Sequence, residues 1–185
     1  MSNYDPCSRC KEAYSLQSAS YSLLSVTTFL YDGWNVLCES ATPSGGQPAA
    51  TCYTWGLDLS GSLQGAGGVG GLLAVHAPSA EYYGSGDTYY PAYDANGNVT
   101  DYLDADGNVV AHYAYDPFGN TEAQSGPMAD AFTYRFSTKP FDAETGLVLY
   151  QLRPYVPELG RWMSRDLIEE QGGLNLYGFV RNDLV

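Results

Sequence analysis

Between Gly107 and Asp116, apolar and polar positions alternate. Val109, Ala111, Tyr113 and Tyr115 fall on one side of an extended chain, and Val110, His112 and Ala114 on the other. That period of two predicts a strand. Residues 99–103 alternate less cleanly, because Asp101 shares a face with Val99 and Leu103. Further strands are predicted within residues 27–38, where Tyr31-Asp32-Gly33-Trp34-Asn35 forms another turn, and around residues 53–55, 89–93 and 132–136. In the last of these Phe132, Tyr134 and Phe136 share a face opposite Thr133, Arg135 and Ser137. Residues 47–53 read as a loop. Residues 1–25 carry no such alternation and are by composition the least ordered part.

One turn signal punctuates these strands three times. Asp94-Ala-Asn-Gly97-Asn98, Asp104-Ala-Asp-Gly107-Asn108 and Asp116-Pro-Phe-Gly119-Asn120 share the pattern D-x-x-G-N. Asn96-Gly97 and Asp106-Gly107 suit two-residue type I′ loops, in which both central residues take positive φ. Asp116-Pro117-Phe118-Gly119 suits a type I turn, with Pro at the second position. Short strands with turn signals at this spacing predict an all-β fold, an antiparallel meander. An EF-hand reading of Asp104-Ala-Asp106-Gly107 fails, because the flanking ligand positions hold Tyr102 and Tyr113.

Composition narrows the function classes. The chain has 185 residues, enough for one ordinary domain, and its 17 Tyr and 21 Gly with 16% charged residues favour strands and tight turns. A net charge of −13 argues against nucleic acid and anionic membranes as partners. No run of 18 apolar residues exists, and the N-terminus lacks the basic start and apolar core of a Sec signal. Cys7-Ser-Arg-Cys10 reads as a pair of free thiols, since Cys38 and Cys52 lie outside any C-x-x-C spacing that would complete a zinc site. Gly65-Ala-Gly67-Gly-Val-Gly70 satisfies G-x-G-x-x-G, but no helix follows to receive a pyrophosphate, so it reads as a glycine-rich crossing between strands. His76 and His112 have no nucleophile elbow beside them, and His112 reads as a partly exposed strand residue. No metal site and no cofactor are expected.

The C-terminal third is specific. Residues 141–166, FDAETGLVLYQLRPYVPELGRWMSRD, closely resemble the RHS repeat-associated core, the end of the RHS/YD-repeat shell. Gly146, Leu147, Arg153, Tyr155, Pro157, Gly160, Arg161, Trp162, Ser164 and Asp166 fall on its pattern. Residues 172–183, GGLNLYGFVRND, resemble its continuation, and the Tyr-Asp turns upstream are similar to its repeats. The resemblance covers about residues 26–185 and implies, after the poorly ordered segment 1–25, a YD-repeat sheet over 26–140 and the core over 141–185. It also implies a curved antiparallel sheet that is part of a hollow shell, ending in a small plug with a short helix near residues 167–171. Relatives in bacteria enclose a toxic C-terminal polypeptide, are exported or displayed at the cell surface, and release the toxin by aspartic self-cleavage. The expected partners are therefore the rest of a shell or a toxin polypeptide, with self-association through exposed strand edges. Arg165 and Asp166 match the family's Arg-Asp pair. Self-cleavage is not expected here, because the family's next Asp motif would begin beyond Val185, and Asp166 reads as a turn or capping carboxylate. Two rivals stand beside this structural reading. One is a self-cleaving core with Glu169, Glu170 or Asp183 as the second acid. The other is a carbohydrate-binding surface of exposed Tyr rings.

Overall fold

The repeated acidic turns close hairpins. The computed structural model describes residues 2–4, 10–17, 20–77 and 86–180, and the chain divides between Tyr90 and Pro91 into two compact units.

In the unit ending at Tyr90, β1 (Ser2–Tyr4), β2 (Cys10–Gln17), β3 (Ser20–Asp32), β4 (Asn35–Pro43), β5 (Ala49–Trp55) and β6 (Leu72–His76) each pair antiparallel with the next. β6 pairs in turn with the start of β7 (Thr88–Tyr93). β1, β2 and the start of β3 lie in the stretch expected to be least ordered. Their register rests on backbone pairing, which composition does not report. Residues 49–53, expected as loop, belong to β5, because Thr51, Cys52, Tyr53 and Thr54 are strand formers and the connection shrinks to residues 44–48. Register then assigns the two faces. Tyr53, Val75 and Tyr89 stand opposite one another and are buried. Cys38, Cys52, His76 and Thr88 form a row on the other face, where His76 is exposed.

The glycine-rich crossing joins β5 to β6 and wraps a buried carboxylate. Asp58 accepts bonds from Ser60 N and Oγ at 2.9 and 2.6 Å, from Ala66 N at 2.7 Å and from Gly68 N at 3.1 Å. Burial opposes its charge, but the Ser60 hydroxyl and the amides of Gly68, Ser60 and Ala66 outweigh it and hold the carboxyl at about 2. A side chain at Gly68 would strike Asn35 Oδ1, so close approach selects glycine there.

In the unit from Pro91, β8 (Val99–Leu103), β9 (Val109–Tyr115) and β10 (Thr121–Ser125) pair in chain order. A smaller sheet follows, also in chain order: β11 (Phe141–Asp142), β12 (Leu147–Leu149), β13 (Pro154–Val156) and β14 (Arg161–Trp162). All three D-x-x-G-N turns have one geometry, and it is the one expected only for Asp116. In each, Gly N bonds back to Asp O, and Asp N bonds to the O of the closing Asn. Positive φ is confined to Gly97 (76°), Gly107 (83°) and Gly119 (87°). These are type I turns with a glycine bulge, and the type I′ expectation for the first two is wrong. The reason is the aspartate. Asp94, Asp104 and Asp116 each accept the amides two and four residues ahead on Oδ1, and the closing Asn amide bonds the same carboxylate. That five-residue cage suits the longer loop.

Residues 132–136 are not a strand. Phe132, Tyr134, Arg135 and Phe136 are all buried, so both sides of the alternating pattern face protein. Tyr134 pairs with Pro140 in an isolated bridge rather than a ladder, and a 3-10 turn follows at Phe136–Thr138, with Ser137 and Thr138 at φ of 51° and 50°. Side chains replace the missing ladder. Tyr102 Oη donates to Tyr134 O at 2.7 Å and Tyr113 Oη to Ala129 O at 2.6 Å, while Arg135 donates to Phe132 O, Ala129 O and Gln124 Oε1. Tyr102 also stacks on Phe132, with centroids 3.8 Å apart. At the C-terminal end a 3-10 turn at Glu169–Gly172 stands in place of the expected short helix. No helix among the described residues is long and apolar enough to cross a membrane.

Candidate functional site

Residues 146–166 contribute Val148, Tyr150, Tyr155 and Trp162 to a small aromatic core. Phe136, Val148, Tyr155 and Phe179 are its buried centre, with Tyr115, Phe141, Tyr150 and Trp162 packed around them. Each motif residue has a local task. Gly146 turns β11 into β12 at φ 70°, and its amide bonds Asp142 O at 2.8 Å. Pro157 opens a 3-10 turn that Gly160 ends in the left-handed region at φ 59°. Tyr155 Oη donates to Phe118 O at 2.7 Å, and Asn120 Nδ2 to Pro157 O at 3.1 Å, so the third acidic turn is docked against this core. A Cβ at Gly160 would strike the Phe118 ring, and one at Gly119 would strike the Phe136 ring. The first turn docks too, through Ser137 N to Asn98 Oδ1 and Thr138 Oγ1 to Gly97 O. The carboxylate of the exposed middle turn, Asp104, is spent on Asn108 and its own loop amides. The side-chain bond from Asn108 leads the contacts that lower its pKa.

Asp166 lies beyond β14, in a turn. Its amide bonds Leu176 O at 2.8 Å, its Oδ1 accepts Ile168 N at 3.1 Å, and its carbonyl accepts Glu169 N at 3.2 Å. Its Oδ2 pairs with Arg153 Nη2 at 3.0 Å. Arg153 lies over Trp162, with its guanidinium carbon 4.5 Å from the ring centroid, and its Nη1 is buried with no acceptor among the described residues. The cation at Asp166 is therefore Arg153. Arg165, its neighbour in sequence, instead lines a cleft of about 400 Å³ with Glu169, Gln171 and Leu176. Arg161 covers Tyr177 at 5.3 Å, and Trp162 N bonds Tyr177 O, which ties the residues after Asp166 back to β14. Chemically, the arrangement pairs a carboxylate with a guanidinium and uses it to hold a turn.

Of the acids considered as a second carboxylate, Glu169 reaches the cleft wall, while Asp183 lies outside the described residues. Among the described residues no tyrosine lines the cleft, and Tyr102, Tyr113 and Tyr155 are fully buried. His112 pairs with Asp101 across β8 and β9 at 2.7 Å on an exposed surface. No group of three or more His, Cys, Asp or Glu able to hold a metal occurs among the described residues. Cys7 also lies outside them. Two contacts were not foreseen. The Arg153–Asp166 pair spans two turns of chain and left no spacing signal, although both residues stood in the same motif. The Cys38–Cys52 disulfide joins residues directly opposite on β4 and β5, with Cα atoms 4.0 Å apart, and only the register reveals it.

Comparison with known proteins follows the same residues. A family model described as the Teneurin YD-shell matches residues 80–185. Toxin subunit YenC2 of Yersinia entomophaga is 43% identical over 84 residues, which is 44% of this chain and 9% of that protein. The tRNA3(Ser)-specific nuclease WapA of Bacillus spizizenii is 31% identical over 144 residues, 76% of this chain and 5% of that protein. The chain thus spans less than a tenth of the length of either relative. The crystal structure of TcdB2-TccC3 without its hypervariable C-terminal region superimposes with a TM-score of 0.71 at 25% identity, over 95% of this chain and 8% of that one. The TcdB2-TccC3-Cdc42 crystal structure gives 0.70 at 24% identity over the same shares, a likeness of fold.

Proposed function

Because the chain belongs to the YD-shell family, we propose that it serves as a length of wall in a β-sheet shell that encloses a toxin polypeptide. The observation that carries this reading is the hairpin built on the repeated acidic turn. Each turn returns the chain to lie beside the strand it has just left, so the sheet grows by one strand per repeat. Such a surface lengthens without limit by adding repeats, as an enclosing wall requires, and it uses no catalytic group. The similarity to proteins named as toxin subunits supports a toxin as the enclosed polypeptide. The C-terminal aromatic core then ends the wall, with the third acidic turn docked against it.

Grafting tests this. The chain replaces the matching segment of TccC3, and the protease resistance of the hypervariable C-terminal region of TccC3 is measured in the assembled chimera. The expected result is a soluble chimera in which that region resists digestion as it does in the parent. A soluble chimera that loses only this protection would overturn the wall reading.

A further inference from the structure

The geometry points to the Cys38–Cys52 bond as a thiol-exchange site, a covalent clamp that small thiols open. Three observations carry it. The bond lies on the face opposite the buried row Tyr53–Val75–Tyr89, between the exposed Leu30, which stands across from Cys38, and the exposed His76, which stands across from Cys52. Both cysteines are half-buried, so the sulfurs are not sealed in a core. Finally, the bond sits at the end of the β4–β5 ladder rather than in its middle.

The reactant is a low-molecular-weight thiol. Its thiolate attacks one sulfur of the pair, and a new S–S bond forms between the thiol and that cysteine. The Cys38–Cys52 bond breaks, and its electron pair leaves on the other sulfur, which takes a proton from solvent. A second thiol displaces the first from the mixed disulfide, giving the small-molecule disulfide and two protein thiols. Two thiols are oxidised and one disulfide is reduced.

Opening the bond has a structural consequence. Cys38–Cys52 is the pair of the β4–β5 ladder nearest the glycine-rich crossing, and beyond it Trp55 Nε1 reaches across to Val36 O at 2.7 Å. Reduction therefore loosens the end of the ladder on which the Asp58 loop rests.

The test uses the intact chain without denaturant. It is incubated in glutathione buffers of graded ratio, quenched in acid, alkylated and mapped by peptide mass, with hydrogen exchange measured on the oxidised and reduced forms. The expected result is that Cys38 and Cys52 become labelled in the folded protein and glutathione is trapped on one of them. Amides of residues 56–71 should exchange faster after reduction. Labelling of Cys38 and Cys52 only in denaturant would overturn the site, and unchanged amide exchange would overturn the clamp.

Discussion

Gly107 and Gly119 take the same backbone conformation but have different neighbours, and this separates two energies that are usually measured together. A Cβ at Gly107 meets open space, whereas one at Gly119 meets the buried Phe136 ring at 2.6 Å. Gly107→Ala should therefore cost only the left-handed strain of about 1 kcal/mol. Gly119→Ala adds the cost of forcing a buried ring to move, about 1–3 kcal/mol more. Denaturant midpoints of the two variants check the order, and a Gly119→Ala protein as stable as Gly107→Ala would contradict the docking of the third turn. The glycines were legible because the D-x-x-G-N cage is local. The Phe136 contact was not, since it joins residues that only the fold brings together. Asp166 makes a second case at this scale. Its oxygens serve Arg153 and the Ile168 amide, so Asp166→Asn should lower stability and leave the chain length unchanged. Intact mass after long incubation at mildly acidic pH is expected to be the same for wild type and variant.

At the scale of elements, the irregular segment from Gly126 to Lys139 is held by side chains, and it is the part of the fold that pattern reading misjudged. Alternation at Phe132, Tyr134 and Phe136 imitates a strand, but Arg135 is buried between the Tyr113 and Phe141 rings, 4.8 and 4.9 Å from their centroids. A long cation folded back on its own backbone carries no periodic signature. Arg135→Met should destabilise by about 3 kcal/mol or more, because it strips donors from Phe132 O and Ala129 O together. Arg135→Lys should recover little of this, since an ammonium cannot span the same acceptors. Unfolding curves for both variants test the point. Buried tyrosines supply a pH signature for the same unit. Burial raises the Tyr113 and Tyr150 hydroxyls to about 12, and pushes Tyr102, Tyr115 and Tyr155 up as well. In the unfolded chain these groups titrate near 10. Their neutral forms therefore stabilise the fold fully below pH 10, and that stability is lost as pH rises toward 12. Denaturant midpoints should fall steeply across this window, and a flat profile would contradict the burial of these rings.

For the whole molecule, the fold class and the family were legible, because turn chemistry and the C-terminal motif are both continuous stretches of sequence. The disulfide was not, because it depends on register between separate strands, and the Arg153–Asp166 pair was not, because it joins two turns that only the fold brings together. Strand edges set the solution behaviour. Among the described residues β10 pairs only with β9, and all of Thr121–Ser125 is exposed. The net charge of −13 keeps chains apart at low salt, but salt of about 0.15 M screens repulsion beyond about 8 Å, whereas edge pairing acts at contact. Light scattering should therefore rise with salt at micromolar concentration, and a monomer at every salt concentration would contradict an open edge. The order of the strands has a further consequence, for time. In each unit a strand's partner is the one made just before it, so a ladder completes as soon as its second strand leaves the ribosome, and each closure spans only a hairpin. The bonds from Tyr113 to Ala129, Tyr102 to Tyr134 and Thr138 to Gly97 reach 16, 32 and 41 residues along the chain. The last of them cannot form until synthesis has passed Thr138. The sheet is thus laid down first, and the tyrosines lock it afterwards.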